Sequence, residues 1–259
     1  MPARMMGVIS CQLFEDELMH LISRDEDIVR VFVIRGDDSH GILEKLGRHP
    51  PKCQVEVVDV SEVASLQLPE GFSLLLWIKP MALHSKPEKL NQEVIDSIGL
   101  LEKRCGSLLL FYGLCGNAFR KFEKTMEPFS IPVVILRDAK GEIVDDCIGT
   151  VLGGTEEYYQ MLKRSSGTFF LTPMWAEHWR ELFHKVQILP DPSDIEGAKY
   201  IFQNVGYKKV MKLDTGLGDQ ERFESNIDEF ASIFEFTRED VVCELHVIED
   251  SYDKAKRLA

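Results

Sequence analysis

Three of the six cysteines in this chain occupy positions where an α/β protein could carry chemistry. Cys11 and Cys115 each follow a short apolar segment, and Cys147 follows two aspartates, Asp145 and Asp146. If the apolar segments are buried strands, these two cysteines lie at strand ends, and ligands bind at the carboxyl edge of open α/β sheets. Thiolates bind zinc and iron–sulfur clusters. The placement predicts a thiol-lined site, although no Cys-x-x-Cys spacing identifies its ligand.

Other residues could complete such a site. His84 is the preferred fourth ligand, because it follows the apolar segment 74–78 and a neutral imidazole suits zinc or iron. Asp146 could bind a hard metal, orient a ligand or assist proton transfer. The alternatives are a loop histidine without a ligand and a polar turn at the two aspartates. The further residues predicted to contact a bound cofactor are Tyr112, Gly113, Gly116 and Trp175.

The elements that must position these residues alternate between strands and helices, which is typical of α/β proteins. Strands are predicted at 6–10, 31–34, 55–60, 74–78, 108–112, 132–136, 210–213 and 241–247. Helices are predicted after Cys11, before residue 108, over 117–127, 155–163, 174–186 and 223–234, and after a capping box at Ser193. We therefore expect a mostly parallel sheet with flanking helices, as one sheet or as two Rossmann-like lobes.

Cys115 lies close to the start of the predicted helix 117–127. The positive end of a helix dipole favours a thiolate, so Cys115 is the cysteine expected to be ionised or ligated. The polar tail from Asp250 is expected to be a solvated, partly frayed terminus. Aromatic residues are concentrated between 158 and 179, where core packing is the default interpretation and a pocket wall the alternative.

With 259 residues and 44% hydrophobic content, the chain can bury a large core. We predict an N-terminal α/β lobe over 1–145, which carries the two strand-end cysteines. Residues 146–259 would form a second α/β lobe or continue the same domain. The predicted boundary falls between about 140 and 150.

The formal net charge is −13, which disfavours binding to nucleic acid or to anionic membranes. No apolar segment at the start resembles a signal peptide, and none is long enough to span a bilayer. We therefore expect a cytoplasmic protein. In a reducing compartment its cysteines are more often free, metal-bound or catalytic than paired in disulfides.

Five sequence features together resemble the prokaryotic family catalogued as domain of unknown function 1638, over roughly positions 6 to 185. They are Cys11, Leu83-His84, Tyr112-Gly-Leu-Cys-Gly116, Asp146-Cys147-Ile148 and Gly167-Thr-Phe-Phe-Leu-Thr-Pro-Met-Trp175. The resemblance implies an association with gene neighbourhoods for corrinoid-dependent methyl transfer, and hence an accessory role in one-carbon metabolism. A corrinoid protein or a methyltransferase would be the partner. The family label implies no reaction.

Three functional hypotheses follow. The leading one is a protein that binds zinc or an iron–sulfur cluster and assists corrinoid methyl transfer. The second is a metal-independent racemase or isomerase, in which Cys11 and Cys115 act as acid and base on opposite faces of a substrate. The third is a non-catalytic binding protein whose cysteines are structural. The sequence does not decide whether the protein is an enzyme.

Overall fold

A computed structural model describes residues 2–188, 191 and 193–259 of the chain. Its main sheet has six strands in the order β3-β2-β4-β1-β5-β6, and every neighbouring pair is parallel. The predicted α/β fold with a parallel sheet is confirmed. The strands are β1 (Ala3–Cys11), β2 (Ile28–Ile34), β3 (Gln54–Val58), β4 (Gly71–Lys79), β5 (Ser107–Phe111) and β6 (Val133–Ile135).

Helices connect and cover these strands. None of the helices in the described residues is both long and apolar enough to cross a membrane. They are α1 (Glu15–Arg24), α2 (His40–Arg48), α3 (Pro87–Leu101), α4 (Phe122–Met126), α5 (Cys147–Val151), α6 (Thr155–Arg164), α7 (Pro173–Lys185), α8 (Ile195–Val205), α9 (Gln220–Phe234) and α10 (His246–Leu258).

The centre of the main sheet is β1, which pairs with β4 on one side and β5 on the other. All five residues of β5 are buried, as expected for a parallel strand that is covered on both faces. In register, Cys11 lies opposite Lys79 of β4, and Ser10 lies opposite Phe111 of β5. The carboxyl ends of the three central strands therefore meet at one edge.

Helices cover both faces of this sheet. Helix α3 covers the face toward which a side chain at Gly7 would point, because a Cβ atom there would lie 3.2 Å from Leu101 Cδ1 of α3. Lys256 of α10 lies over the ring of Phe72, which is in register with Arg4. Arg4 and Gly7 are three positions apart, and successive side chains of a strand point to opposite faces. Thus α3 and α10 pack on opposite sides of the sheet.

A second sheet has three parallel strands in the order β7-β8-β9, with β7 at Thr168–Leu171, β8 at Lys209–Asp214 and β9 at Thr237–Val242. Its core is dominated by aromatic rings that meet mostly edge to face. The predicted core packing is therefore confirmed for most of the aromatic segment. The rings are those of Phe169, Trp179, Phe183, Phe202, Phe230 and Phe234.

The last helix returns to the main sheet, where α10 packs against β5 and β6. Val247, Ile248, Tyr252 and Ala255 are buried along one side of α10. The prediction of a frayed tail from Asp250 is therefore wrong, as is the predicted strand beyond Val242, because these apolar residues follow helical spacing. Residues after 145 supply all three strands of the second sheet and, through α10, cover part of the main sheet. The division into 1–145 and 146–259 stays a prediction.

Two further boundaries differ from the sequence prediction. The helix predicted over 117–127 is a series of turns followed by the short α4. The N-cap of α8 is Asp194 rather than Ser193, since Asp194 Oδ1 accepts a hydrogen bond from the Gly197 amide. Thr172 caps α7 and Pro173 begins it.

We expect the Tyr252→Phe variant to be less stable, because the Tyr252 hydroxyl donates a 2.6 Å hydrogen bond to Asp25 Oδ2 under α10. A hydrogen bond to a charged group contributes about 1.5–3 kcal/mol, so the free energy of unfolding should fall by about that amount in urea titrations. The control is Tyr200→Phe, whose side chain is 69% exposed on α8. Equal losses in both variants would contradict the expectation.

Candidate functional site

A cavity of about 410 Å³ lies at the carboxyl ends of the central strands. It brings together every predicted ligand and three of the four predicted cofactor contacts. Gly113 is the exception, because it does not line the cavity. The predicted residues that line the cavity are Cys11, His84, Tyr112, Cys115, Gly116, Asp146, Cys147 and Trp175.

Residues that end or follow three neighbouring strands line most of the cavity. Cys11 is the last residue of β1. His84 lies in a short 3-10 turn after β4, and Tyr112 to Gly116 follow β5 directly. Since the three strands are parallel neighbours, their following residues must lie side by side. The sequence prediction that these segments converge is consistent with this arrangement.

Cys147 reaches the cavity from a different part of the chain. It is the first residue of α5, whose N-cap is Asp146. Asp146 Oδ1 accepts hydrogen bonds from the Ile148 and Gly149 amides, both at 2.9 Å, so this carboxylate orients the turn that carries the thiol. Trp175 Nε1 lies 3.3 Å from Cys147 Sγ and donates a hydrogen bond to it.

Cys115 does not begin a helix, so the prediction that a helix dipole would favour its thiolate is wrong. Its backbone is left-handed, with φ +46°, and its amide donates a 2.8 Å hydrogen bond to the Asp145 carbonyl. Because Gly113 has no side chain, the segment that carries Cys115 can lie close to the segment that carries Val144 and Asp145. A Cβ atom on Gly113 would lie 2.3 Å from the Val144 carbonyl oxygen. Gly113 therefore shapes the cavity without lining it.

Burial dominates the electrostatics of the thiols. It raises the pKa of Cys11 to about 12 and raises the pKa values of Cys115 and Cys147 well above the usual thiol range. Negative charge on one of these sulfurs further raises the pKa of its neighbours, whereas the Trp175 hydrogen bond lowers that of Cys147. Three neutral thiols are the stable state of the chain alone, and a cation would be needed to hold them as thiolates.

The imidazole and carboxyl groups are also partly desolvated. Burial lowers the pKa of His84, which keeps the imidazole neutral and able to donate an electron pair to a metal. Burial raises the pKa of Asp146 to about 6, against the effect of its two amide hydrogen bonds. In the part of the chain that the structure describes, no three His, Cys, Asp or Glu side chains are gathered as ligands of a single metal ion.

The apolar part of the cavity wall was not predicted from the sequence. These residues are chain neighbours of the predicted ligands, and their position next to those ligands was the signal that could have identified them. They are Leu13, Phe14, Pro80, Leu83 and Ile148, with the polar Asn117.

A second cleft, of about 670 Å³, lies between α1, α2, α7 and the loop before α9. Several of its charged side chains pair with one another. Lys45 contacts Asp16, and Arg222 lies 3.0 Å from Glu177. Because these charges are already compensated, the thiol cavity is the stronger candidate for chemistry.

A family model described as a protein of unknown function, DUF1638, matches residues 78–252. The chain belongs to this family. The DUF1638 match includes His84, Cys115 and Cys147 but begins after Cys11, and it extends beyond position 185, where the sequence resemblance ends. No curated protein and no solved structure matches the chain. The family description gives DUF1638 proteins no reaction, so function must be argued from the cavity.

The racemase hypothesis requires Cys11 and Cys115 to come from two related lobes. In the structure Cys11 ends β1 and Cys115 follows β5, and these two strands are neighbours in one sheet. Burial also keeps both thiols protonated, so neither is prepared to act as a base. No observation favours this hypothesis over metal binding.

Alkylation of the metal-free protein should distinguish neutral cavity thiols from catalytic thiolates. With a pKa of about 12, Cys11 has a thiolate fraction of roughly 10⁻⁴ at pH 8, and this fraction rises about tenfold per pH unit up to the pKa. We expect iodoacetamide to label Cys53, which is partly exposed outside the cavity, well before Cys11 or Cys115. Mass spectrometry of each peptide gives the rates. Labelling of Cys11 or Cys115 at the rate of Cys53 would support thiolate catalysis instead.

Proposed function

We propose that this protein binds an iron–sulfur cluster through Cys11, Cys115 and Cys147. The observation that supports this most is that the three thiols, from three separate segments, line one cavity. The other three cysteines, Cys53, Cys105 and Cys243, are absent from its wall. Thiolates are the usual ligands of such clusters.

The size of the cavity favours a cluster over a single ion. Structural zinc needs four ligands in a tetrahedron, with sulfurs about 2.3 Å from the metal. Cysteines that hold a cluster lie farther apart, around a shared inorganic core. A cavity of about 410 Å³ also leaves far more room than one ion would use.

The electrostatics support a cationic occupant. Burying three thiolates without a compensating cation is unfavourable, and the raised pKa values of Cys115 and Cys147 express this cost. Iron ions would supply the missing positive charge. Trp175 would then retain its hydrogen bond to the Cys147 sulfur, and Asp146 would keep the turn of α5 in place.

His84 is the proposed fourth ligand. Its neutral imidazole lines the same cavity, on the loop that follows β4. When bound, the cluster would supply one-electron transfer, with a potential set by its ligands, its hydrogen bonds and its exposure to solvent. Zinc in the same cavity is the alternative cofactor, and the same measurement distinguishes the two.

Reconstitution with ferrous iron and sulfide under exclusion of oxygen tests the cluster. We expect the parent protein to bind iron and acid-labile sulfide with visible charge-transfer absorption. The Cys11→Ser, Cys115→Ser and Cys147→Ser variants should lose most of this iron, because each lacks a thiolate ligand. Iron, sulfide and zinc are measured per chain by elemental and colorimetric analysis.

The matched control is Cys53→Ser, which removes a cysteine outside the cavity and should retain the parent's iron content. Thermal unfolding of every variant shows whether a loss of iron is a loss of fold. If the parent binds zinc and the three cavity variants lose it, the cavity is a zinc site and not a cluster site. A folded parent that takes up neither metal would overturn the proposal and favour structural cysteines.

The proposed partner is a corrinoid protein or a methyltransferase of one-carbon metabolism, as the family resemblance implies. The chain's charge of −13 suits a partner with a basic docking face. We expect the reconstituted protein to form a complex with a purified corrinoid protein in sedimentation velocity, and this complex to weaken with salt. Sedimentation as two independent species at low salt would remove the corrinoid protein as a partner.

A further inference from the structure

The Tyr112 side chain has a buried hydroxyl without a protein partner. Tyr112 is 3% exposed and lines the thiol cavity. Its oxygen atom is buried, and no hydrogen-bond donor or acceptor among the described residues pairs with it. Buried polar groups in folded proteins almost always have a partner, so this hydroxyl requires an explanation.

The position of the ring is fixed by its surroundings. Tyr112 follows β5, and its carbonyl oxygen accepts a 3.3 Å hydrogen bond from the Leu136 amide. The ring packs against Phe119 with a centroid distance of 5.8 Å. Turning the hydroxyl toward solvent would break this packing. The group is therefore held in the wall of the cavity.

The unpaired hydroxyl carries an energetic cost in the chain alone. A buried donor that lacks an acceptor costs about 1–3 kcal/mol, whereas a phenylalanine in the same place would avoid this cost. Tyr252 shows the contrasting case, because its buried hydroxyl donates to Asp25. The cost at Tyr112 would be removed if an occupant of the cavity accepted the hydrogen bond.

Cys11, at the end of β1, and Cys115, three residues after Tyr112, line the same cavity as this side chain. After burial itself, the charges of these two sulfurs are the largest effects that raise the pKa of Tyr112. A sulfur of the loaded site, either a cysteine thiolate or an inorganic sulfide, would then be an acceptor for this hydroxyl. A phenol that donates to a charged sulfur forms a stronger hydrogen bond than one between neutral groups.

Building on the proposed function, we propose that the Tyr112 hydroxyl donates a hydrogen bond to a sulfur of the iron–sulfur centre and raises its reduction potential. Reduction adds one electron to the centre and makes its sulfurs more negative. A hydrogen bond donated to such a sulfur is stronger in the reduced state, which favours the addition of the electron. Tyr112 is thus a residue that tunes the centre without binding iron.

The test compares Tyr112→Phe with the parent protein, both reconstituted with iron and sulfide. We expect equal iron and sulfide contents, since no ligand is lost. The reduction potential, measured by spectroscopic redox titration, should fall. A tenfold decrease in the equilibrium constant for reduction corresponds to a decrease in the potential of about 59 mV for a one-electron couple. Tyr200→Phe, a change on the exposed face of α8, should leave the potential unchanged.

A second measurement separates this role from a structural one. In the metal-free protein, Tyr112→Phe should unfold at the same or a higher urea concentration than the parent, because the hydroxyl it removes has no partner. Tyr252→Phe should unfold at a lower concentration. The opposite response of the two buried tyrosines would support a hydroxyl that serves an occupant rather than the fold.

Three results would overturn the inference. An unchanged potential in an intact centre would mean that the hydroxyl bonds to water and not to the centre. Loss of iron in Tyr112→Phe would mean that the residue supports the site structurally. Absence of iron in the parent protein would overturn the proposed function together with this inference, and the parent's iron assay separates that failure from the other two.

Discussion

The parallel pairing of β1 with β4 and β5 decides where this protein can carry chemistry. Because all three strands run in the same direction, the segments that follow Cys11, Lys79 and Phe111 are forced to one edge of the sheet. The strands are buried on both faces, so their register cannot slip without exposing apolar side chains. The position of two cavity thiols and one histidine therefore rests on the core of the main sheet.

This arrangement also removes the thiols from water. The same burial that fixes the strands also surrounds Cys11, Cys115 and Cys147 with apolar groups, and it keeps each thiol neutral in the chain alone. An occupant that brought positive charge would offset this desolvation and allow the thiols to ionise. The second cleft differs in this respect, because Lys45 pairs there with Asp16 and Arg222 with Glu177.

Much of the fold could be predicted from the sequence, because parallel strands covered on both faces are apolar segments that stand out from their connections. The strands around Val31 and Leu108 are examples. The convergence of Cys11, His84 and Cys115 followed from strand ends alone. What could not be predicted depends on tertiary contacts. The left-handed backbone of Cys115 is set by pairing with the Asp145 loop, and α10 becomes ordered through its contact with the sheet.

The return of α10 to the main sheet has a consequence for biosynthesis. Ser107 of β5 donates a hydrogen bond to the carbonyl of Ala255, 148 positions later, and α10 also contacts α5, which carries Cys147. One face of β5 and β6 thus lacks this cover until the whole second sheet has left the ribosome. A nascent chain that ends before α10 exposes this apolar face to chaperones and to other chains. The short helix that carries Cys147 thus gains its contact with α10 only after the second sheet has been translated.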